Sequence, residues 1–229
     1  MKHILKTTAP DDYLTWCQTQ QILGVNYSFK SLPNPEKKIL HNALLSEQGF
    51  ICGYTMKRIN TDLSHIEHIK PQHICTQEGP GIDLHYLNLI VCYPKKGMKS
   101  DCRYGAQAKD EWWDNNGHEF LPPLNDSCEL RVVFNLKGEI SPTRIQTEST
   151  NKTISVLKLN DPILIEDRKN AIHEFIYGNN GNELLSPEDA DNAISIVYKP
   201  TADGLLNEFC IALHDALYEY IDIIKKIPK

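Results

Sequence analysis

His65-Ile66-Glu67-His68-Ile69-Lys70-Pro71 holds the densest chemistry in the sequence. Two imidazoles and a carboxylate lie within four positions, and a proline follows that ends a strand. On an ideal strand Glu67 and His68 point to opposite faces, so a shared metal centre needs a twist or a strand end there. Pro71 supplies such an end. A carboxylate beside a histidine at a strand break can set a metal ligand next to a general base. The chemistry this suits is phosphodiester hydrolysis: a divalent cation neutralises the scissile phosphate and the leaving oxygen, and a neutral imidazole takes a proton from water. Glu67 is expected as the metal ligand and His68 as the base. A zincin-type peptidase is the poorer match, because no His-Glu-x-x-His is present.

Cysteines surround this segment. Cys52 precedes it, and Cys92 and Cys102 follow; a zinc ion held by such residues staples small units with little core of their own. Thr55 stands where a Cys-x-x-Cys pair would place its second thiol. Cys75 or His73 could supply a fourth ligand. Cys17, Cys128 and Cys210 read as core. Lys95, Lys96, Lys99 and Arg103 are candidates for gripping phosphates. Trp112 and Trp113 could stack on a base, although packing explains them as well.

The elements that must position these residues follow from periodicity and punctuation. Asp11 or Asp12 caps a helix to about Leu23, and Asn34-Pro35 starts a second, with Ile39, Leu40, Ala43 and Leu44 at helical spacing. Residues 50–56 read as a strand turning near Gly53, and residues 64–69 as another. Residues 71–84 read as a long loop around Gly79-Pro80-Gly81. Leu87–Cys92 is an apolar strand, a lysine-rich loop follows, and a helix spans Ala106–Trp113 before Asn115-Asn116-Gly117. Leu121-Pro122-Pro123 looks like a seam. Beyond it come a hairpin around Lys137-Gly138 and helices over residues 162–176 and 204–226. The expected class is α+β, mainly helical. Residues 1–120, with a core at about 50–114, carry the chemistry, and residues 121–229 form a partner-binding lobe.

Charge sharpens that division. The chain of 229 residues has a net charge of −6, which on its own argues against nucleic acid. Residues 51–110, however, carry 8 basic and 6 acidic side chains, whereas residues 111–150 and 151–229 stand at −4 and −5. No apolar run reaches the ~18 residues of a membrane span. With no export signal behind Lys2 and Lys6, the odd set of seven cysteines points to a cytoplasmic, reduced protein.

Together, His65-Ile66-Glu67-His68-Ile69-x-Pro71, Asn88-Leu89 in a strand ending at Cys92, then Cys102 and Lys109, resemble an HNH endonuclease with its ββα-metal finger. The run Leu44–Tyr54 and the segment Ile154-x-x-Leu157-x-Leu159-Asn160-x-Pro162 with Arg168 resemble the retron- and Septu-associated branch. The resemblance implies His68 as the water-activating histidine, Glu67 as the acidic metal ligand and Asn88 as the residue tying down the loop behind the base. Ala106 stands where the last helix ligand is expected, three residues before Lys109, so Asp101 or His65 would substitute. It further implies an active-site divalent metal (Mg, Mn or Zn), a structural zinc, and DNA or transfer RNA as substrate. The implied partners are an ABC- or SMC-like ATPase and, in a retron setting, a reverse transcriptase with its multicopy single-stranded DNA. An anti-phage role is expected. The competing reading is a zinc-stapled adaptor that keeps the fold without the chemistry.

Overall fold

The computed structural model describes residues 1–114, 119–145, 147–177 and 184–226. Among them the element order is α1 (Asp11–Leu23), α2 (Glu36–Glu47), β1 (His65–His68), α3 (Gln72–Glu78), β2 (Leu89–Cys92), α4 (Ala106–Lys109), β3 (Val132–Phe134), β4 (Ile140–Pro142), α5 (Thr147–Val156), α6 (Pro162–Tyr177), α7 (Pro187–Ile196) and α8 (Cys210–Ile224). Helices thus dominate two small antiparallel sheets, β1–β2 and β3–β4, an α+β chain.

The first helices end where the backbone dictates. Gly24 follows α1 at φ 64°. That left-handed turn is one glycine adopts without steric cost. Helix α2 buries Leu40, Leu44 and Leu45, a stripe at helical spacing.

Strand β2 is the centre of the chemical half: Leu89, Ile90, Val91 and Cys92 are all fully buried. It pairs with β1 in the register His65–Cys92, Ile66–Val91, Glu67–Ile90 and His68–Leu89. Its other edge is closed by a side chain. Gln48 accepts from the Val91 N–H at 2.6 Å and donates to the Val91 carbonyl at 2.9 Å, replacing a strand neighbour. Lys6 adds a bond to the Leu89 carbonyl at 2.6 Å while paired with Glu47 at 2.9 Å, which pins the N-terminal arm to the same strand.

Some expectations change. Residues 50–56 form no strand: Ile51 makes only an isolated bridge to Arg58, and Phe50 and Met56 sit at positive φ, which folds the segment back on itself. The loop expected over residues 71–84 contains α3, because Pro71 starts a helix as readily as it ends a strand. Helix α4 is one turn long rather than reaching Trp113. Asp110 turns to φ 43° and stops it. Trp112 then packs on Phe120, with ring centroids 5.9 Å apart. The expected Asn115-Asn116-Gly117 stop lies outside the described residues.

In the second half, the hairpin β3–β4 and helix α6 lie where expected, α8 starts at Cys210 rather than at residue 204 because Phe209 sits at φ 54°, and α5 and α7 are additional. Helix α7 has a full start signal, Ser186 accepting from the Asp189 N–H at 3.1 Å with Pro187 in the first turn. The halves share one apolar cluster, from Met1 and Ile4 through Val91 to Leu164 and Leu217. Polar ties cross it as well: Lys57 to Asp167 at 2.6 Å, and Arg58 to the Leu206 carbonyl.

Candidate active site

Strand β1 separates its side chains as alternation demands. Ile66 and His68 are buried on one face; His65 and Glu67 are half-buried on the other. His65 Nδ1 lies 2.5 Å from the Pro94 carbonyl oxygen. A carbonyl only accepts, so Nδ1 carries the proton, and in the neutral ring Nε2 presents its lone pair. That lone pair faces a Glu67 carboxylate oxygen at 3.4 Å. Two acceptors aimed at each other repel unless a proton or a metal cation lies between them.

The other Glu67 oxygen is 3.4 Å from Lys109 Nζ, and the same ammonium donates to the His68 carbonyl at 3.1 Å. The Lys109 side chain is fully buried, a position an ammonium occupies only when paired. Helix α4 therefore docks on β1 through one lysine, which closes a strand–strand–helix unit. Ala106, on the same turn, offers no ligand.

His68 is fixed from behind. Its Nε2 lies 2.9 Å from the Asp83 carbonyl, which assigns the proton to Nε2 and leaves the lone pair on Nδ1. Its ring packs edge-on against Phe29 at 4.8 Å. Burial pushes the His68 pKa below the ordinary imidazole value, against the raising effects of the Asp83 carbonyl and the Glu67 charge. The ring is neutral at neutral pH. Asp83 serves twice, since its carboxylate accepts from the Phe29 N–H and from Gln72, both at 2.8 Å.

Asn88 clamps the turn after His68. It accepts from the Lys70 N–H at 2.7 Å and donates to the Lys70 carbonyl at 3.0 Å, while its own carbonyl accepts from the Ile69 N–H at 2.9 Å. The backbone beyond the base histidine is thereby held by one residue.

The cysteines divide. Cys52 and Cys92 meet in the core, and Cys52 Sγ also accepts from the Tyr93 N–H at 3.4 Å. Burial alone would push the Cys52 thiol up; hydrogen bonds from Cys92, Thr55 and the Tyr93 N–H outweigh it and bring Cys52 down to about 6. Burial and the facing Cys52 push Cys92 up. Cys102 turns to the Tyr104 carbonyl at 3.4 Å. The expected fourth ligands lie elsewhere: His73 pairs with Glu111, and Cys75 sits against Asn88 at 3.5 Å. Among the described residues, no three His, Cys, Asp or Glu side chains gather into a metal-holding group. The His65–Glu67 pair is thus the best-formed donor set of the candidate site.

Lys95 and Lys96 border a cleft beside His65, whereas Lys99 and Arg103 lie on the exposed loop beyond it. The opposite side of that cleft holds Lys30, Lys37, Lys38 and His41, none of which sequence reasoning singled out. The available signal was the pair Lys37-Lys38 at the start of an amphipathic helix, which reads equally as a solvated face.

No family model matches the chain. Over 146 residues it is 31% identical to a protein of Vibrio cholerae serotype O1 biovar El Tor named "Retron Vc95 putative HNH endonuclease", an alignment spanning 62% of this chain and 67% of that protein. With the paired histidines and carboxylate on a hairpin backed by a short helix, this match places the chain in the nuclease class. It belongs to the HNH endonuclease family.

Proposed function

We propose that the protein is a metal-dependent phosphodiester hydrolase acting on nucleic acid. The carrying observation is the opposition of two acceptors, His65 Nε2 and the Glu67 carboxylate, 3.4 Å apart, with the tautomer fixed by Pro94. His65 and Glu67 would hold a divalent cation between them, which would relieve that opposition. Donors at this separation suit a metal with bond lengths of about 2.1 Å, and a magnesium-type ion characteristically takes only one or two protein ligands, leaving the rest to water and phosphate oxygens. Such an ion would neutralise the scissile phosphate and the leaving oxygen. Manganese or zinc fits the same N/O pair.

The chain's own part is proton transfer and positioning. Neutral His68 accepts the proton of the attacking water on Nδ1, while its Nε2–H stays on the Asp83 carbonyl. Lys109 orients the Glu67 carboxylate. Asn88 holds the loop that fixes His68. Base and carboxylate leave β1 on opposite faces, so they would act on one phosphate only where the strand ends, ahead of Pro71.

The finer assignment is a PtuB-type nuclease of a Septu or retron anti-phage system, held in check by an ABC- or SMC-like ATPase. It is supported by the retron name of the Vibrio relative and by the motifs at residues 44–54 and 154–162. The acidic surface beyond residue 111 is the expected ATPase-facing side. A structural zinc on Cys52, Cys92 and Cys102 requires Cys102 to turn from Tyr104 toward the pair.

The test is co-expression with the neighbouring ATPase, comparing recovered transfer RNA and plasmid for wild type and His68→Ala. The expected result is cleavage by the wild type, lost in His68→Ala and lost again when divalent metal is removed from the wild type. Equal cleavage and equal phage defence by the two would reject His68 as the base. Defence that survives His68→Ala with no cleavage by either protein would point to the adaptor reading, which the missing helix ligand at Ala106 motivates.

A further inference from the structure

Beside the His65–Glu67 pair the surface opens into a cleft of about 780 Å³. That is the size range of sites that enclose a nucleotide-sized ligand. Its two walls come from distant parts of the chain. Lys30, Lys37 and Lys38 line one, from the segment entering α2 and from α2 itself; Lys95 and Lys96 line the other, from the loop after β2. One carboxylate, Asp62, is present, and it approaches Lys95 only to 3.9 Å. Like charges so arranged repel one another. Burial and the charge of Lys96 both push the Lys37 ammonium below its ordinary value, and Lys37 falls back on the Phe29 ring at 4.4 Å. Five ammonium groups around one carboxylate are an unfavourable arrangement without an anion.

The floor is different in kind. Phe29 and Ile66 line it beneath the lysines; both are largely buried, and the Lys37 ammonium lies over the Phe29 ring at 4.4 Å, so a base meets that ring once Lys37 turns to a phosphate. An apolar floor under a cationic rim matches a ligand with a flat apolar face and phosphates along its edge. In a duplex the base faces are stacked away, and a duplex would meet only the rim. In a single strand they are exposed, and one strand can enter.

We propose that this cleft binds a single-stranded segment of nucleic acid, with its phosphates on Lys37 and Lys38 on one wall and Lys95 and Lys96 on the other, and a base against the Phe29–Ile66 floor. This rests on the nuclease reading above and narrows its substrate to strands that are unpaired at the cut. Lys37 and Lys38 belong to a helix outside the strand–strand–helix unit, so α2 is part of the substrate site.

The experiment is equilibrium binding of the full chain, at low ionic strength and without divalent metal, to a labelled single-stranded oligonucleotide, to its duplex, and to adenosine monophosphate as competitor. The single strand is expected to bind about tenfold tighter than the duplex, and Lys37→Glu/Lys38→Glu and Lys95→Glu/Lys96→Glu are each expected to lose about tenfold or more for the single strand. Lys225→Glu, just past the end of α8, should bind as wild type. Equal or tighter duplex binding would overturn the proposal. So would wild-type affinity in both double variants with unchanged melting temperature, or competition by the mononucleotide as effective as by the oligonucleotide. Binding by His68→Ala separates the two readings: intact binding with intact cleavage removes His68 as base but leaves the cleft assignment standing.

Discussion

Asn88 shows how much one polar side chain can fix. Its amide makes both available backbone bonds of Lys70, and Lys70 directly follows the Ile69 that Asn88 also binds through its carbonyl. Asn88→Ala leaves a half-buried N–H and C=O without partners, and the expected cost is about 1–3 kcal/mol, read by chemical denaturation. Activity should fall further than stability, since the loop set loose carries His68. A variant with unchanged denaturation midpoint would show that water replaces both bonds. The histidines, Glu67 and Asn88 were legible as residues because their types and order are specific. Their tautomers were not, since these depend on the Pro94 and Asp83 carbonyls, 29 and 15 positions away.

At the scale of elements, turns and junctions set the geometry. Gly138 takes φ 80° in the β3–β4 turn, and a Cβ there would lie 2.6 Å from the Ile165 carbonyl and 2.9 Å from the Lys169 nitrogen on α6. Backbone cannot yield as a side-chain tip can. Gly97 has a similar φ but open space around it. Gly138→Ala is therefore expected to cost about 2 kcal/mol or more, against about 1 kcal/mol for Gly97→Ala. Similar losses at the two sites would rule out the α6 contact as the cause. Where β3 meets α8, Asp215 accepts from the Phe134 N–H at 3.0 Å, and burial lifts its carboxyl above the ordinary range. The folded protein then holds that proton to higher pH than the unfolded chain does, so ionisation subtracts stability as pH rises. Asp215→Asn keeps an acceptor for Phe134 and removes the titration. Its melting temperature relative to wild type should climb as pH rises from about 4, and a constant difference would refute the linkage. The long helices were legible from their periodicity. Helix α3 was not, because Pro71 serves as strand end and helix start alike.

For the whole molecule, distribution outweighs sum. The net charge of −6 coexists with a cleft that gathers five lysines around one carboxylate. Binding of a single strand by the isolated chain should be steeply salt-dependent, with a log–log slope of about −2 to −3.5 if three to five phosphates are neutralised. A slope near zero would mean that the lysines are not used. No helix among the described residues is long and apolar enough to cross a membrane.

The sequence by itself determined the chemical vocabulary. Adjacent residues, a strand break, an asparagine and an apolar strand are local features, and local features survive in a linear reading. It also carried the composition of each helix stripe, because periodicity is set by neighbours three and four positions apart. Only the tertiary structure decided that Lys109 reaches back 42 positions to Glu67, that Gln48 closes the edge of β2, and that Lys37 and Lys38 face Lys95 and Lys96. Each of these joins segments far apart in the chain, and their approach follows from burying one shared apolar core rather than from the identity of any residue in the motif.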